Sequence, residues 1–420
     1  MKSILLSLLF VVSCLGANAL TLQDFVLSQS RPQGIGEVVP AADGVSYYQL
    51  SDDGAKIMKI GYADGKSAVV FDSSTARDCN VKSWNGYQMS SDEGKILLWT
   101  SAEPIYRHSF SADYYVYEVR HNKLTKLSDA GGEEIATLSP DGRMVAFVKD
   151  NNVFVKKLDY GTVVPVTTDG ERNKVINGVP DWVYQEEFGM LNSLCWSPDN
   201  LTLAFIRWDE SQVPMYSMTM YEGACSPNKD YALYPGRFDF KYPVAGEKNS
   251  EVSVMCYDVE NRTLKTAKLP DGVGYYIPHM AFSGDATKLM VSTLNRTQND
   301  FHIYAVNPRS LIAKSVYAEK SDTWFDSELA NSVRYYDTYF VIPSEKSGFT
   351  QLYQYSLSGA LIKQLTTGNE NVTAYYGHDA KRGLFYYQRT NGPLNRTVEC
   401  VDAKGKVKAL DGGVGTTSAT

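Results

Sequence analysis

The sequence predicts an all-β fold, a β-propeller of four-stranded blades. Three observations carry that prediction: a recurring turn-and-strand phrase, its spacing along the chain, and a surplus of strand-favouring aromatics. The phrase is a turn rich in Ser, Pro, Asp and Gly, then a short apolar strand, a polar turn and a second strand ending in aromatics. Its copies are SDDGAKIMKI (51–60), SSDEGKILLWT (90–100), LSPDGRMVAFVKDNNVFVKKL (138–158), WSPDNLTLAFIRWDE (196–210) and FSGDATKLMVSTLNRTQNDFHIYAV (282–306). Weaker copies are PSEKSGFTQLYQYSL (343–357) and HDAKRGLFYYQRT (378–390).

Each part of the phrase has a physical reading. Pro-Asp-Gly makes a tight turn, because Gly and Asp tolerate positive φ. The residues that follow run or alternate apolar, as buried strands do. Most copies start about 40–60 residues apart, the length of a propeller blade. A unit of this size cannot bury its faces alone, so several must stack around an axis. The aromatic surplus agrees: 29 Tyr, 16 Phe and 6 Trp suit pleated surfaces. Helical signal is thin. Leu22 to Ser28 offers one turn or two, and Asp181 to Met190, with its Glu-Glu run between turn residues, a short helix. No Gly/Ser- or Pro-rich linker divides the chain, so residues 20–420 read as one domain, and the small polar stretch 411–420 as a segment between strands.

Residues 1–19 read as an export signal. Lys2 gives the positive start, Ile4 to Val12 an apolar run broken only by Ser7, and Ala17-Asn18-Ala19 a small-x-small cleavage site. The run is too short to span roughly 30 Å of hydrocarbon. Val11-Val12-Ser13-Cys14 offers a second reading, a lipobox that would leave Cys14 as a lipidated N-terminus. Either way the chain is expected outside the cytoplasm, periplasmic or secreted, with no transmembrane segment.

Cleavage after Ala19 leaves Cys79, Cys195, Cys225, Cys256 and Cys400, an odd number with no metal-ligand spacing. One disulfide or isolated thiols both fit. The histidines at 108, 121, 279, 302 and 378 form no HxH or HxxxH pair. No metal or other cofactor is expected. The net charge of −7, without basic blocks, gives no support to nucleic-acid binding.

The least blade-like stretch is NGVPDWVYQEEFGM (177–190). By itself a Glu-Glu pair is ordinarily a solvated surface pair. Held together among apolar neighbours, Glu186 and Glu187 repel unless a cation shares the site. A peptide α-amino group is largely protonated at neutral pH, and two carboxylates would hold it by charge-assisted hydrogen bonds.

This stretch resembles the Asp-Trp-Val-Tyr-Glu-Glu-Glu segment of dipeptidyl peptidase IV enzymes, whose last two glutamates grip the substrate N-terminus. The matching residues are Glu186 and Glu187, with Gln185 replacing the first glutamate. YRHSFSADYYVYEV (106–119) resembles the family's Arg-His-Ser motif, which makes Arg107 the residue expected to contact substrate and brace the glutamates. PVAGEKNSEVSV (243–254) and TLNRTQNDF (293–301) also look like bacterial members, so the resemblance covers nearly all of the chain after residue 19. It further implies an aromatic near the substrate pocket, assigned to Tyr335 within SVRYYDTYFV.

The resemblance implies an eight-bladed propeller, of which about seven blades are accounted for by residue 420. It also implies an α/β-hydrolase domain, of which the sequence shows no sign: no serine lies in Gly-x-Ser-x-Gly, and no strand-helix alternation occurs. The chain is therefore expected to gate substrates and anchor their free N-termini for a serine dipeptidyl aminopeptidase releasing X-Pro or X-Ala dipeptides. Alone it is expected to be inactive. The full-length form is expected to carry the missing hydrolase domain and to be compatible with a homodimer. A non-catalytic peptide- or protein-binding propeller, or a non-functional fragment, are the alternatives.

Overall fold

The recurring phrase folds as one hairpin clip. In 51–56, 90–95, 139–144 and 197–202 the serine hydroxyl donates to the aspartate two residues on, each time at 2.6 Å. The same hydroxyl accepts the amide N–H five residues on, at 2.9–3.0 Å. The aspartate accepts a further amide at 3.0–3.1 Å. The residue after each aspartate takes positive φ: Gly54, Glu93, Gly142 and Asn200, between 57° and 68°. Glu93 is the least suited of these, and its carboxylate is used elsewhere. It accepts the Ala42 amide at 2.6 Å and lies 3.3 Å from the Lys59 ammonium, tying blades 1 and 2.

The computed structural model describes residues 21–27, 36–221, 234–270 and 275–419. They form an all-β propeller of seven four-stranded antiparallel blades in chain order, with no α/β-hydrolase domain. The blades span 38–72, 86–126, 135–165, 175–266, 276–320, 334–364 and 372–409. Blade 4 is the irregular one. Its first strand, Val175–Asn177, is separated from its second, Thr202–Asp209, by the short helix Trp182–Glu187 and the edge strand Cys195–Trp196. Between Thr202–Asp209 and the third strand, Glu251–Asp258, a separate two-stranded hairpin is inserted, Met215–Met220 against Gly236–Lys241.

The seven sequence copies fall one to a blade, but two fall on a different hairpin from the others. In blades 2, 3, 5 and 7 the copy marks the first hairpin, and in blade 4 the turn from Cys195–Trp196 into Thr202–Asp209; SDDGAKIMKI and PSEKSGFTQLYQYSL mark the second hairpins of blades 1 and 6. The first hairpin of blade 1 turns at Asp43, which accepts the Val45 and Ser46 amides at 2.9 and 3.0 Å. There Ala41 stands where the clip serine would be, which hides the phrase. In blade 6 the first turn is Tyr336-Asp337-Thr338, without Gly or Pro.

The apolar cores lie between blades. One cluster joins blades 1 and 2, others join 2 with 3, 3 with 4, and 6 with 7, and the largest spans blades 4, 5 and 6. A middle strand such as Leu289–Leu294 is therefore buried at all six positions, because both of its faces meet a neighbouring sheet. Polar crosslinks add to the apolar contacts. The Lys156 ammonium donates to the carbonyls of Lys126 and Leu127 at 2.8 and 2.7 Å, and the Ser344 hydroxyl donates to Glu319 at 2.9 Å. Cys79, Cys195, Cys256 and Cys400 are free thiols. Burial pushes the Cys195 thiol up to about 11.

Both anticipated helices form, as Leu22–Val26 and Trp182–Glu187; a third, Ser327–Asn331, was not anticipated. The polar stretch after 410 lies along the third strand of blade 7: Arg396 donates its amide to Gly415 and accepts that of Thr417, both at 3.0 Å. The proposed leader, Cys14 and Cys225 lie outside the described residues.

Two outcomes follow from this packing. Trp208 is fully buried between the helix and blade 5; Trp208→Ala should cost ~3–5 kcal/mol in urea denaturation. His279 is half-buried in a stack on Tyr335, 5.8 Å between centroids, and desolvation lowers its imidazole to about 4. The folded state thus refuses a proton that the unfolded chain accepts below the ordinary histidine range. Stability should fall as pH drops from about 6.5 toward 4, by up to ~3 kcal/mol. His279→Phe, which keeps the stack, should flatten that slope relative to wild type in denaturation midpoints measured across the window.

Candidate functional site

The site is built on the helix Trp182–Glu187. A six-residue helix is too short to persist unaided. Asp181 caps it, one carboxylate oxygen accepting the Tyr184 amide at 3.0 Å and the other the Ser250 hydroxyl at 2.6 Å. Burial raises the Asp181 carboxyl, and those hydrogen bonds oppose the rise. Gly189, at φ 62°, reverses the chain, and the Met190 amide returns to the Tyr184 carbonyl at 3.0 Å.

The inner face of the helix is fixed by Tyr184 and Phe188. The Tyr184 ring meets Trp208 edge-on at 5.3 Å, and its hydroxyl oxygen accepts the Ile277 amide of blade 5 at 2.9 Å. Asn331 of the helix Ser327–Asn331 donates to the Phe188 carbonyl at 2.6 Å. Gln185 points inward as well. It is 2% exposed, and its Nε2 donates to the Pro180 carbonyl at 2.7 Å. Gln185 is thus directed into the fold, in a region already holding the Asp181 and Glu210 carboxyls; a glutamate there would add a further buried charge.

Glu186 and Glu187 lie on the rest of the helix surface and differ sharply. The Glu186 side chain is 9% exposed, and its Oε2 lies 3.4 Å from Nε of Arg107, whose own side chain is 73% exposed. Glu187 is exposed and has no ion-pair partner among the described residues. Arg107 arrives from blade 2 on the tight loop between Lys95–Pro104 and Phe110–Glu118. The Ile105 amide donates to the Ser109 carbonyl at 2.8 Å and the Tyr106 amide to the Ser109 hydroxyl at 3.2 Å. The Arg-His-Ser loop and the Glu-Glu helix, about 80 residues apart in sequence, therefore meet through this contact. Such a partly exposed ion pair contributes ~1 kcal/mol or less to stability. What it does is orient one carboxylate and leave its neighbour free, an arrangement suited to a protonated amine.

Tyr335 lies apart from that contact. It sits on the first strand of blade 6, Arg334–Tyr335, between His279 and Phe340. Burial raises its phenol well above the usual range. It makes no direct hydrogen bond or ring contact with Arg107, Glu186 or Glu187 among the described residues.

Sequence reasoning missed a cavity of about 390 Å³ behind the helix. Tyr106, Glu134, Arg172, Asp181, Gln185 and Glu210 line it. Desolvation, with the Asp181 charge nearby, pushes the Glu210 carboxyl up to about 7; burial also raises Glu134 and lifts the Tyr106 phenol to about 12. Glu134 directly precedes one unremarkable strand, Ile135–Leu138, and Glu210 directly follows another, Thr202–Asp209. Only the fold collects them.

The model of the dipeptidyl peptidase IV N-terminal region matches residues 90–419. A probable dipeptidyl peptidase 4 of Emericella nidulans is 30% identical over 397 residues, covering 89% of this chain and 49% of its own. That of Aspergillus clavatus is 31% identical over 369 residues, covering 83% and 46%. The crystal structure of Porphyromonas gingivalis dipeptidyl peptidase 4 superposes with a TM-score of 0.90 at 42% identity, covering 96% of this chain and 56% of that one. A putative dipeptidyl aminopeptidase IV from Bacteroides ovatus, at 20% identity and TM-score 0.66, shares the fold. The chain spans about half the length of these relatives. With a seven-bladed ring, a Glu-Glu helix held against an Arg-His-Ser loop, and these matches, the chain belongs to the dipeptidyl peptidase IV N-terminal propeller family.

Proposed function

We propose that this propeller anchors the free α-amino group of a peptide on Glu186 and Glu187 and presents the peptide to the hydrolase domain of a serine dipeptidyl aminopeptidase. The observation that carries this reading is the single contact between Arg107 and the nearly buried Glu186, beside an exposed Glu187 without an ion-pair partner among the described residues. An ammonium group placed between the carboxylates would receive two charge-assisted hydrogen bonds. The outward part of the Arg107 guanidinium stays available for a peptide carbonyl.

Anchoring the amine counts two residues to the scissile bond, so the propeller sets which bond reaches the nucleophile. Holding it there is a positional contribution to the rate. An N-terminally extended or acylated peptide leaves the two carboxylates facing each other without a cation, which disfavours it. Release of X-Pro or X-Ala dipeptides, export from the cytoplasm, and Tyr335 as a wall of the pocket complete the proposal. No helix among the described residues is long and apolar enough to cross a membrane.

In a protein joining this propeller to its hydrolase domain, Glu186→Ala and Glu187→Ala should each lower kcat/KM by about 10- to 100-fold, as loss of a hydrogen bond to a charged group implies. Circular dichroism melts should be unchanged. Wild-type turnover in both variants would remove the anchoring role. The 420-residue chain alone should leave Gly-Pro chromogenic substrates intact, since its sequence holds no nucleophile elbow; sustained release of chromophore by the purified chain would contradict this.

A further inference from the structure

The cavity behind the anchor helix is separate from the Glu186–Arg107 contact and has a chemistry of its own. Its wall carries four carboxyl groups, Glu134, Asp150, Asp181 and Glu210, against one lining cation, Arg172. Arg172 forms no ion pair among the described residues, and Lys241, which also acts on Glu210, spends its ammonium on the Val213 carbonyl at 2.6 Å. Asp181 is satisfied by Tyr184 and Ser250, whereas among the described residues the Glu210 carboxyl accepts no hydrogen bond from a side chain.

The second observation is independent of charge. Gln185 lines the cavity and is 98% buried, and its Nε2 is committed to the Pro180 carbonyl. Only the amide nitrogen can make that bond, so the orientation of the amide is fixed. Its Oε1 is left buried with no hydrogen-bond partner among the described residues. An orphaned acceptor of this kind is costly unless something donates to it. Among the described residues no three His, Cys, Asp or Glu side chains converge closely enough to hold a metal ion. Glu134, Gln185 and Glu210 line one space instead, and its volume suits a short alkyl chain ending in several N–H donors.

We infer that this cavity is a binding site for an alkylammonium or guanidinium group, with Glu210 as its counter-charge and Gln185 Oε1 as a neutral acceptor. The group can come from a free amine or from a basic side chain of a peptide held at the neighbouring anchor. The second source rests on the anchoring reading; the first does not. Tyr106 and Glu134 line the site on the blade 2 and blade 3 sides, and Phe238 of the inserted hairpin adds apolar surface for the alkyl stem.

Calorimetric titration of the 420-residue chain with n-butylammonium chloride at pH 7 tests the site, with n-butanol as the uncharged control. One saturable site that persists when the anchor pair is neutralised is expected for the ammonium, and none for the alcohol. Glu210→Gln should weaken binding at least about tenfold and Gln185→Leu about threefold or more, whereas the double variant Glu186→Gln/Glu187→Gln should retain it within about twofold. Because Glu210 is partly protonated near neutrality, wild-type binding should release protons, read as a dependence of the heat on buffer ionisation enthalpy, and Glu210→Gln should abolish that release. Absence of saturable binding, equal binding of the alcohol, loss in the double variant, or wild-type affinity in both Glu210→Gln and Gln185→Leu would overturn the inference. A free-amine peptide with Lys at its third position, compared with its norleucine twin, assigns the source. A preference of at least tenfold that vanishes in Glu210→Gln marks a substrate side chain. Equal peptide affinities alongside butylammonium binding mark a free amine.

Discussion

A helix of six residues closes too few internal hydrogen bonds to hold its shape in water, and Trp182–Glu187 is held instead through the burial of Tyr184. The ring is locked against Trp208 of its own blade, and its hydroxyl takes the Ile277 amide from the next blade. One side chain therefore fixes the helix to two sheets at once. Asp181 sets where the helix begins, and Gly189 with the returning Met190 amide sets where it stops. The direction in which Glu186 and Glu187 project follows from these constraints, since neither carboxylate has a strong tie to the body of the protein.

The two faces of that helix divide the electrostatic work. Outward, Glu186 is screened from water by its surroundings and turned toward Arg107, while Glu187 remains solvated. Inward, Asp181 and Glu210 experience desolvation strong enough to raise both carboxyls. Gln185 stands between the two regimes. As an amide it adds a dipole to the interior without adding charge, so the family's triplet of acids is reduced here where a third would be hardest to ionise.

Much of this was legible in the sequence because the relevant forces are local. The Ser-x-Asp-Gly clip uses side chains within five residues of one another, so its repetition can be read directly and gives the blade count. It misleads where a residue of the clip is replaced, as with Ala41 in blade 1 and Tyr336-Asp337-Thr338 in blade 6, and there the phase of the repeat shifts by one hairpin. The meeting of Arg107 with Glu186 was anticipated through resemblance, since nothing in either segment alone specifies it. Tyr335 was picked out through resemblance in a segment with several aromatics, and the structure sets it in a stack with His279 and Phe340. The helix Ser327–Asn331 and the cavity around Glu210 gave no periodic signal at all. Both depend on contacts between segments tens of residues apart.

The placement of the apolar clusters between blades has a consequence for cooperativity. Coupling in such a ring runs chiefly from neighbour to neighbour, as in a one-dimensional array. The largest cluster spans blades 4 to 6 and includes Tyr184 and Phe188, so the anchor helix belongs to the same unit as the Leu289–Leu294 strand. The cluster joining blades 1 and 2 shares none of these residues. A lesion there would loosen its own sector and spare the helix, whereas a lesion in the blade 5 core would reach the carboxylates without touching them. Tolerance to mutation should thus vary with angular position around the axis, not with distance from the surface.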